Sequence, residues 1–201
     1  MWISLLAALL SGSVAGASAK FADESGIPGA GMLGTYFGVW IMCVAVIAAL
    51  SHSWRRAVVC SMTFLLAMIA AYYVSQMLLF GFFSTRLLLA WTAIALFLAP
   101  PFAALAWCAR GYGWQAALGA TLPVGLLLAE AYSLRLRLDV NEDYRIVFVF
   151  DVVCAVVLLL ILPRNRAQWV RVLALTPVIM VGARLVLEYA LQVVGAFVRD
   201  S

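Results

Sequence analysis

Apolar side chains run along this chain in long unbroken blocks, separated by short clusters of charge, glycine or proline. Seven blocks can be read, at about residues 2–19, 32–51, 57–81, 87–108, 114–133, 146–163 and 172–197. Most match the roughly 20 residues that an α-helix needs to cross a hydrocarbon core of about 30 Å. Strands of a membrane β-barrel are about half that length and alternate in polarity, which these blocks do not. In lipid every backbone N–H and C=O must find its partner inside its own segment, so the pattern predicts helices. The expected fold is an all-α integral membrane protein, a single bundle of about seven transmembrane helices. No long linker divides residues 1–201, so the chain reads as one polytopic domain.

The interruptions read as connections. "KFADESGIPGAG" is polar and rich in Gly and Pro, and predicts a loop after the first block; "SHSWRR" and "PRNRAQWVR" are basic; "FSTR" and "ARGYG" are tight turns; "LRLRLDVNEDYR" is the longest and mixes both signs. Pro100 and Pro101 interrupt the fourth block, and Pro123 and Pro177 fall inside helical blocks, where membrane helices tolerate proline if neighbours satisfy the freed carbonyls. The first block ends in Ala17-Ser18-Ala19, which resembles a signal-peptidase site. No Lys or Arg precedes it, however, and Gly12 and Gly16 form a GxxxG spacing that lets another helix come close. The reading favours a retained, tightly packed first helix.

Composition sharpens this picture. The chain is 67% hydrophobic and 11% charged, with a mean hydropathy of +1.08, against about 45–50% apolar and about 25% charged for a soluble domain. The lipid bilayer is the expected partner. The net charge of +4 does not point to nucleic acid, because the Lys and Arg residues are scattered through short loops rather than gathered in a patch. Basic loops set membrane topology instead. Arg55, Arg56, Arg110, Arg164, Arg166 and Arg171 fall on one side; Lys20, Arg86, Arg135, Arg137, Arg145 and Arg199 fall on the other. The second side also carries Asp23, Glu24, Asp139, Glu142, Asp143 and Asp200, and the first carries no acid. The N-terminus is therefore expected inside, in a cytoplasmic (inner or plasma) membrane.

Charge within the blocks is scarce and gathers in one layer. Glu130, Asp151, Arg184 and Glu188 are the residues concerned, and each costs several kcal/mol in hydrocarbon unless it faces the bundle interior and pairs. At about 1.5 Å per residue, Glu130 lies about 24 Å from the inner face and Asp151 about 9 Å from the outer. By the same rise, Arg184 lies about 20 Å from the inner face and Glu188 about 6 Å further out. All four thus fall in the outer third. Tyr72, Tyr73 and Gln76 reach the same layer, as do Ser75, Thr35, Tyr36, Trp91, Thr92, Tyr132 and Tyr189. Arg184 and Glu188 share a helix face, and Asp151 matches Arg184 in depth, so Arg184 is expected to pair with one of these acids. Two readings stay open. One is a structural ion-pair cluster with an interfacial aromatic belt. The other is a polar, acidic pocket, in which the excess of three acids over one arginine is protonated, neutralised by rim arginines, or bound to a cation or cationic solute.

Chemistry beyond this is thin. No GxGxxG, Walker A or HExxH motif occurs, His52 is in a loop, and "SGS" at 11–13 lacks the setting of a nucleophile elbow. Cys43, Cys60, Cys108 and Cys154 form no CxxC pair and read as buried small hydrophobes. No cofactor is expected, and an enzyme is the less favoured class.

The stretches "ADESG…GTYFGVW", "AYY" and "APPFAALAWCARGYGW" resemble a group of small multi-pass bacterial membrane proteins with no assigned activity, over about the first 130 residues. That resemblance implies a bacterial cytoplasmic-membrane protein. In size and helix count the chain is also similar to the substrate-binding subunits of energy-coupling-factor vitamin transporters, a likeness of architecture alone. The expected function is a transporter, or the solute-binding subunit of one. Glu130, Asp151, Arg184, Glu188, Tyr72, Tyr73 and Gln76 are its candidate ligands for a small cationic or polar solute. The alternative is a non-catalytic assembly or accessory protein whose helices serve other membrane subunits, which a lipid-facing groove of small residues around Gly12 and Gly16 would favour.

Overall fold

The computed structural model describes residues 2–27, 29–138 and 143–199, and the side chains of these except residues 35 and 186–199. The described elements are helices: α1 Trp2–Glu24, α2 Ala30–Thr35, α3 Phe37–Leu50, α4 Trp54–Phe80, α5 Thr85–Phe97, α6 Ala99–Cys108, α7 Gly113–Arg135, α8 Asp143–Ile161 and α9 Arg166–Arg199. Six helical stretches are long and apolar enough to cross a membrane, with α5 and α6 counted as one, and Phe37–Leu50 is a shorter apolar helix. The expected bundle of about seven helices is thus found, with one difference. The second block is not one helix but two, because Tyr36 is extended (φ −80°, ψ 155°) and separates α2 from α3.

Proline explains why the α5–α6 junction is gentler. Pro100 and Pro101 occupy the first positions of α6, where their missing N–H groups need no partner. Leu98 between the two helices stays in the right-handed helical region. The first connection departs from expectation more clearly. Helix α1 continues through Lys20 to Glu24 rather than ending near residue 19. Lys20 Nζ holds Glu24 Oε1 at 2.6 Å, one turn on, and lies over the Phe80 ring at 4.8 Å. Asp23 accepts a 2.5 Å hydrogen bond from the Tyr72 hydroxyl. These contacts carry the helix past its apolar block, and Gly26, with φ 65°, ends the segment.

Helix α1 packs along α4. A Cβ on Gly12 would fall 3.0 Å from the Phe64 carbonyl carbon, and one on Gly16 would fall 2.8 Å from that of Met68, so glycine alone allows this approach. Helix α7 is the most buried element; Ala116, Ala120, Val124, Leu127 and Ala131 are all within the core. It packs against α3, α6, α8 and α9.

The end of the bundle bearing Ser51, Ala109 and Arg164 is closed by hydrogen bonds. The Ser51 carbonyl accepts from Trp107 Nε1 at 3.0 Å and from the Arg110 guanidinium. Gln168, 2% exposed, donates from Nε2 to the carbonyls of Ala109 (3.1 Å) and Ala116 (3.3 Å), and its Oε1 accepts the Arg164 N–H at 3.0 Å. Asn165 Oδ1 accepts the Gln168 N–H at 2.8 Å, as a helix N-cap does. Gln168→Leu removes these side-chain bonds and leaves buried donors and acceptors behind. It should cost about 1–2 kcal/mol, which thermal unfolding in detergent measures.

Candidate functional site

The break at Tyr36 decides where the acids go. A helix that starts inside the bundle exposes N–H groups with no partner one turn earlier. At the start of α3 the Phe37 N–H is donated to Glu130 Oε1 at 2.8 Å, and the Gly38 N–H is also directed to this carboxylate. Glu130 comes from α7 and is 4% exposed. It therefore caps a helix 93 residues away in sequence, with its negative charge at the positive pole of the α3 dipole.

Asp151 of α8 reaches the same point. It is fully buried, at 0% exposure. Its Oδ1 lies directly against Gly38, where a Cβ would overlap it and would fall 3.3 Å from Glu130 Oε2. Both carboxylate oxygens of Asp151 lack a hydrogen-bond donor, and so does Glu130 Oε2. The α2–α3 break thus brings together two acids from separate helices, one capped and one without a donor.

Arg184 is not hydrogen-bonded to Asp151, which corrects the pairing expected from matching depth. Its guanidinium carbon lies 4.8 Å from the centre of the Tyr132 ring, a cation–π contact. The Glu188 side chain, the other expected partner, lies outside the described residues.

Tyr72, Tyr73 and Gln76 do not join the acids. They line a separate cleft of about 350 Å³ with Gly34, Trp40 and Trp91. Trp40 and Trp91 stack with ring centres 6.1 Å apart, and Tyr72 and Tyr73 meet edge to face at 5.3 Å. The indole nitrogen of Trp40 is buried without an acceptor. Phe37 connects the two places: its backbone N–H is bound by Glu130, and its ring lies 5.4 Å from that of Trp91. The first turn of α3 therefore belongs both to the acid pair and to the cleft wall.

Sequence reasoning missed Phe37, Gly38 and Trp40. The available signal was "GAGMLGTYFG", in which Gly31, Gly34 and Gly38 recur at spacings of three and four. That places small residues on one helix face, where close packing or a break is easiest.

Long apolar helices around a buried polar centre define an integral membrane protein. The chain belongs to a family described as a family of unknown function (DUF6518), whose family model matches residues 1–192. The resemblance seen over the first 130 residues to a family with no assigned activity is thereby borne out and extends through most of α9. No curated protein matches the chain, and no solved structure does.

Proposed function

We propose that this protein binds and moves a small polar or cationic solute across its membrane, alone or as the solute-binding subunit of a transporter. One observation carries the reading: Asp151 is fully buried and has no donor. A structural ion-pair cluster would give it a guanidinium or another donor, since an uncompensated buried charge costs several kcal/mol. Membrane helices broken near a binding site are a recurrent feature of transporters, and here the break at Tyr36 is where the two acids meet. The aromatic cleft beside them has the size range of a small-molecule pocket, about 300–1,000 Å³. Its Trp and Tyr faces suit a cation or a planar ring. Hydrogen bonds close the opposite end of the bundle at Ser51 and Gln168, as a site open to one face requires.

The accessory reading loses its main support. Gly12 and Gly16 face α4, not lipid, so their small-residue groove is already filled within the chain. By the charge of the loops we place the N-terminus inside a cytoplasmic membrane and the acid pair in its outer third. Cysteine labelling of intact cells tests this, and a Ser84→Cys site unreachable from outside would reverse the orientation.

Native mass spectrometry of the protein purified in mild detergent tests the function. We expect a non-lipid small molecule bound to the wild type and lost from Trp91→Ala and Glu130→Gln. Protein carrying only lipid, in all three forms alike, would favour the accessory role.

A further inference from the structure

The acid pair at the start of α3 leaves Asp151 Oδ1, Asp151 Oδ2 and Glu130 Oε2 without donors while Glu130 Oε1 is held by backbone N–H groups. Asp151 and Glu130 are 0% and 4% exposed, so water does not solvate them as it would at a surface. Two negative charges this close in such a place repel strongly. Something positive must be there, and the surroundings decide what. A metal ion or an alkali cation needs several oxygen ligands around it. Here one side of the site is the N–H end of a helix, the positive pole, which repels a cation. Among the described residues no group of three or more His, Cys, Asp and Glu gathers that could hold a metal ion. The Arg184 guanidinium stands over Tyr132 and is not bonded to Asp151.

We propose that Asp151 and Glu130 share one proton, Asp151 as the neutral acid and Glu130 as the carboxylate, so that the ion held at the α2–α3 break is a proton. The Asp151 hydroxyl donates to Glu130 Oε2. This single bond gives Glu130 Oε2 a donor and removes the second charge, and Glu130 Oε1 keeps its N–H partners. The pair carries one negative charge, facing the positive pole of α3. Loading or release moves only a proton between this pair and water, with no other bond made or broken. Among the described residues, Tyr36 at the break acts on Glu130 and Cys154 of α8 on Asp151, with Tyr144 of α8 beside Tyr36 and Cys43 of α3 beside Cys154. Arg137, beyond α7, acts on Tyr36. None of these supplies a hydrogen bond to Asp151.

A second proton would neutralise the Glu130 carboxylate that caps the Phe37 N–H, and loss of the first would take the donor from Glu130 Oε2. Because the Phe37 ring touches Trp91, such a change reaches the wall of the cleft. This role as coupling ion rests on the transport reading; occupancy by a proton does not.

Infrared spectroscopy of the full chain in lipid nanodiscs tests the proton directly. At about pH 7 an ordinary Asp or Glu is ionised, so a protonated-carboxyl band there identifies an unusual site. We expect one such band in the wild type. It should shift when the protein is grown with carbon-13-labelled aspartate and disappear in Asp151→Asn. Replacing choline by sodium or potassium at constant ionic strength should leave it, and the melting temperature, unchanged. The labelling experiment needs no variant, so a misfolded Asp151→Asn does not remove the test. Absence of an aspartate band at neutral pH, or loss of the band on adding sodium with a rise in melting temperature, overturns the proposal. Either result leaves solute co-purification untouched, so failure of the proton site is distinguishable from failure of the transport reading.

Discussion

Gly16→Leu should separate α1 from α4 and lower stability by about 3 kcal/mol, the upper part of the range for overpacking a well-packed contact. The obstruction is backbone, not a mobile side chain. A Cβ at this position would fall 2.8 Å from the Met68 carbonyl carbon and 3.0 Å from its Cα, and closer still to the carbonyl oxygen. Neither helix can yield locally, so α1 must shift outward along several turns. That shift also pulls Asp23 from the Tyr72 hydroxyl and Lys20 from the Phe80 ring. Tyr72 lines the aromatic cleft, so a change at Gly16 should disturb the cleft as well. The expected result is a lower melting temperature in detergent together with increased labelling of a cysteine placed at Ala67, which a Cβ on Gly12 would approach to 3.1 Å. Unchanged melting and unchanged labelling would mean that α1 does not pack on α4 in this register.

The second large effect concerns Glu130. Glu130→Leu removes the acceptor of the Phe37 N–H inside the bundle, where Glu130 is 4% exposed. An orphaned buried donor costs about 1–3 kcal/mol, and the loss of a negative charge at the positive pole of α3 adds to this. A total loss of about 2–3 kcal/mol is therefore expected. Glu130→Gln is the informative contrast. Its amide oxygen can still accept the Phe37 N–H, so most of the stability should remain while the charge is gone. A large difference between the two variants in thermal unfolding, with Gln close to the wild type, is the predicted outcome. Equal loss in both would show that charge, not capping, holds the start of α3.

Much of the fold was legible because lipid imposes a coarse rule. The seven apolar blocks needed only length and lack of alternation to be recognised as helices, and each contains a helix. The glycines at 12 and 16 carried enough information to expect a close helix contact, although not to name α4 as the partner. The errors arose where a polar residue is satisfied by a distant one. Helix α1 was expected to stop near residue 19, but Lys20 and Asp23 are held by Glu24, Phe80 and Tyr72, two of them on α4. Hydropathy along a single segment cannot register such partners.

Depth along the helices did not give the grouping of the candidate site. Counting residues from the loops brought Glu130 and Asp151 to one layer, and the structure has both at the start of α3. The same counting put Tyr72, Tyr73 and Gln76 with them, whereas those residues line the neighbouring cleft. Depth is one coordinate, and helix rotation and neighbour order supply the others. Arg184 shows the consequence. Its depth matched that of Asp151, yet its guanidinium stands over Tyr132 on α7. The break at Tyr36 was hidden for a different reason: it is a backbone feature, stabilised by an acid on another helix.

The central claim is that Asp151 is kept as an occupant-binding acid and not as half of a structural ion pair. Thermal unfolding of Asp151→Asn in detergent at neutral pH tests it most directly. A neutral amide of the same shape can donate to Glu130 Oε2, as the protonated acid does. The account therefore predicts a variant at least as stable as the wild type. A loss of about 3–5 kcal/mol, the effect of removing one partner from a buried salt bridge, would contradict it.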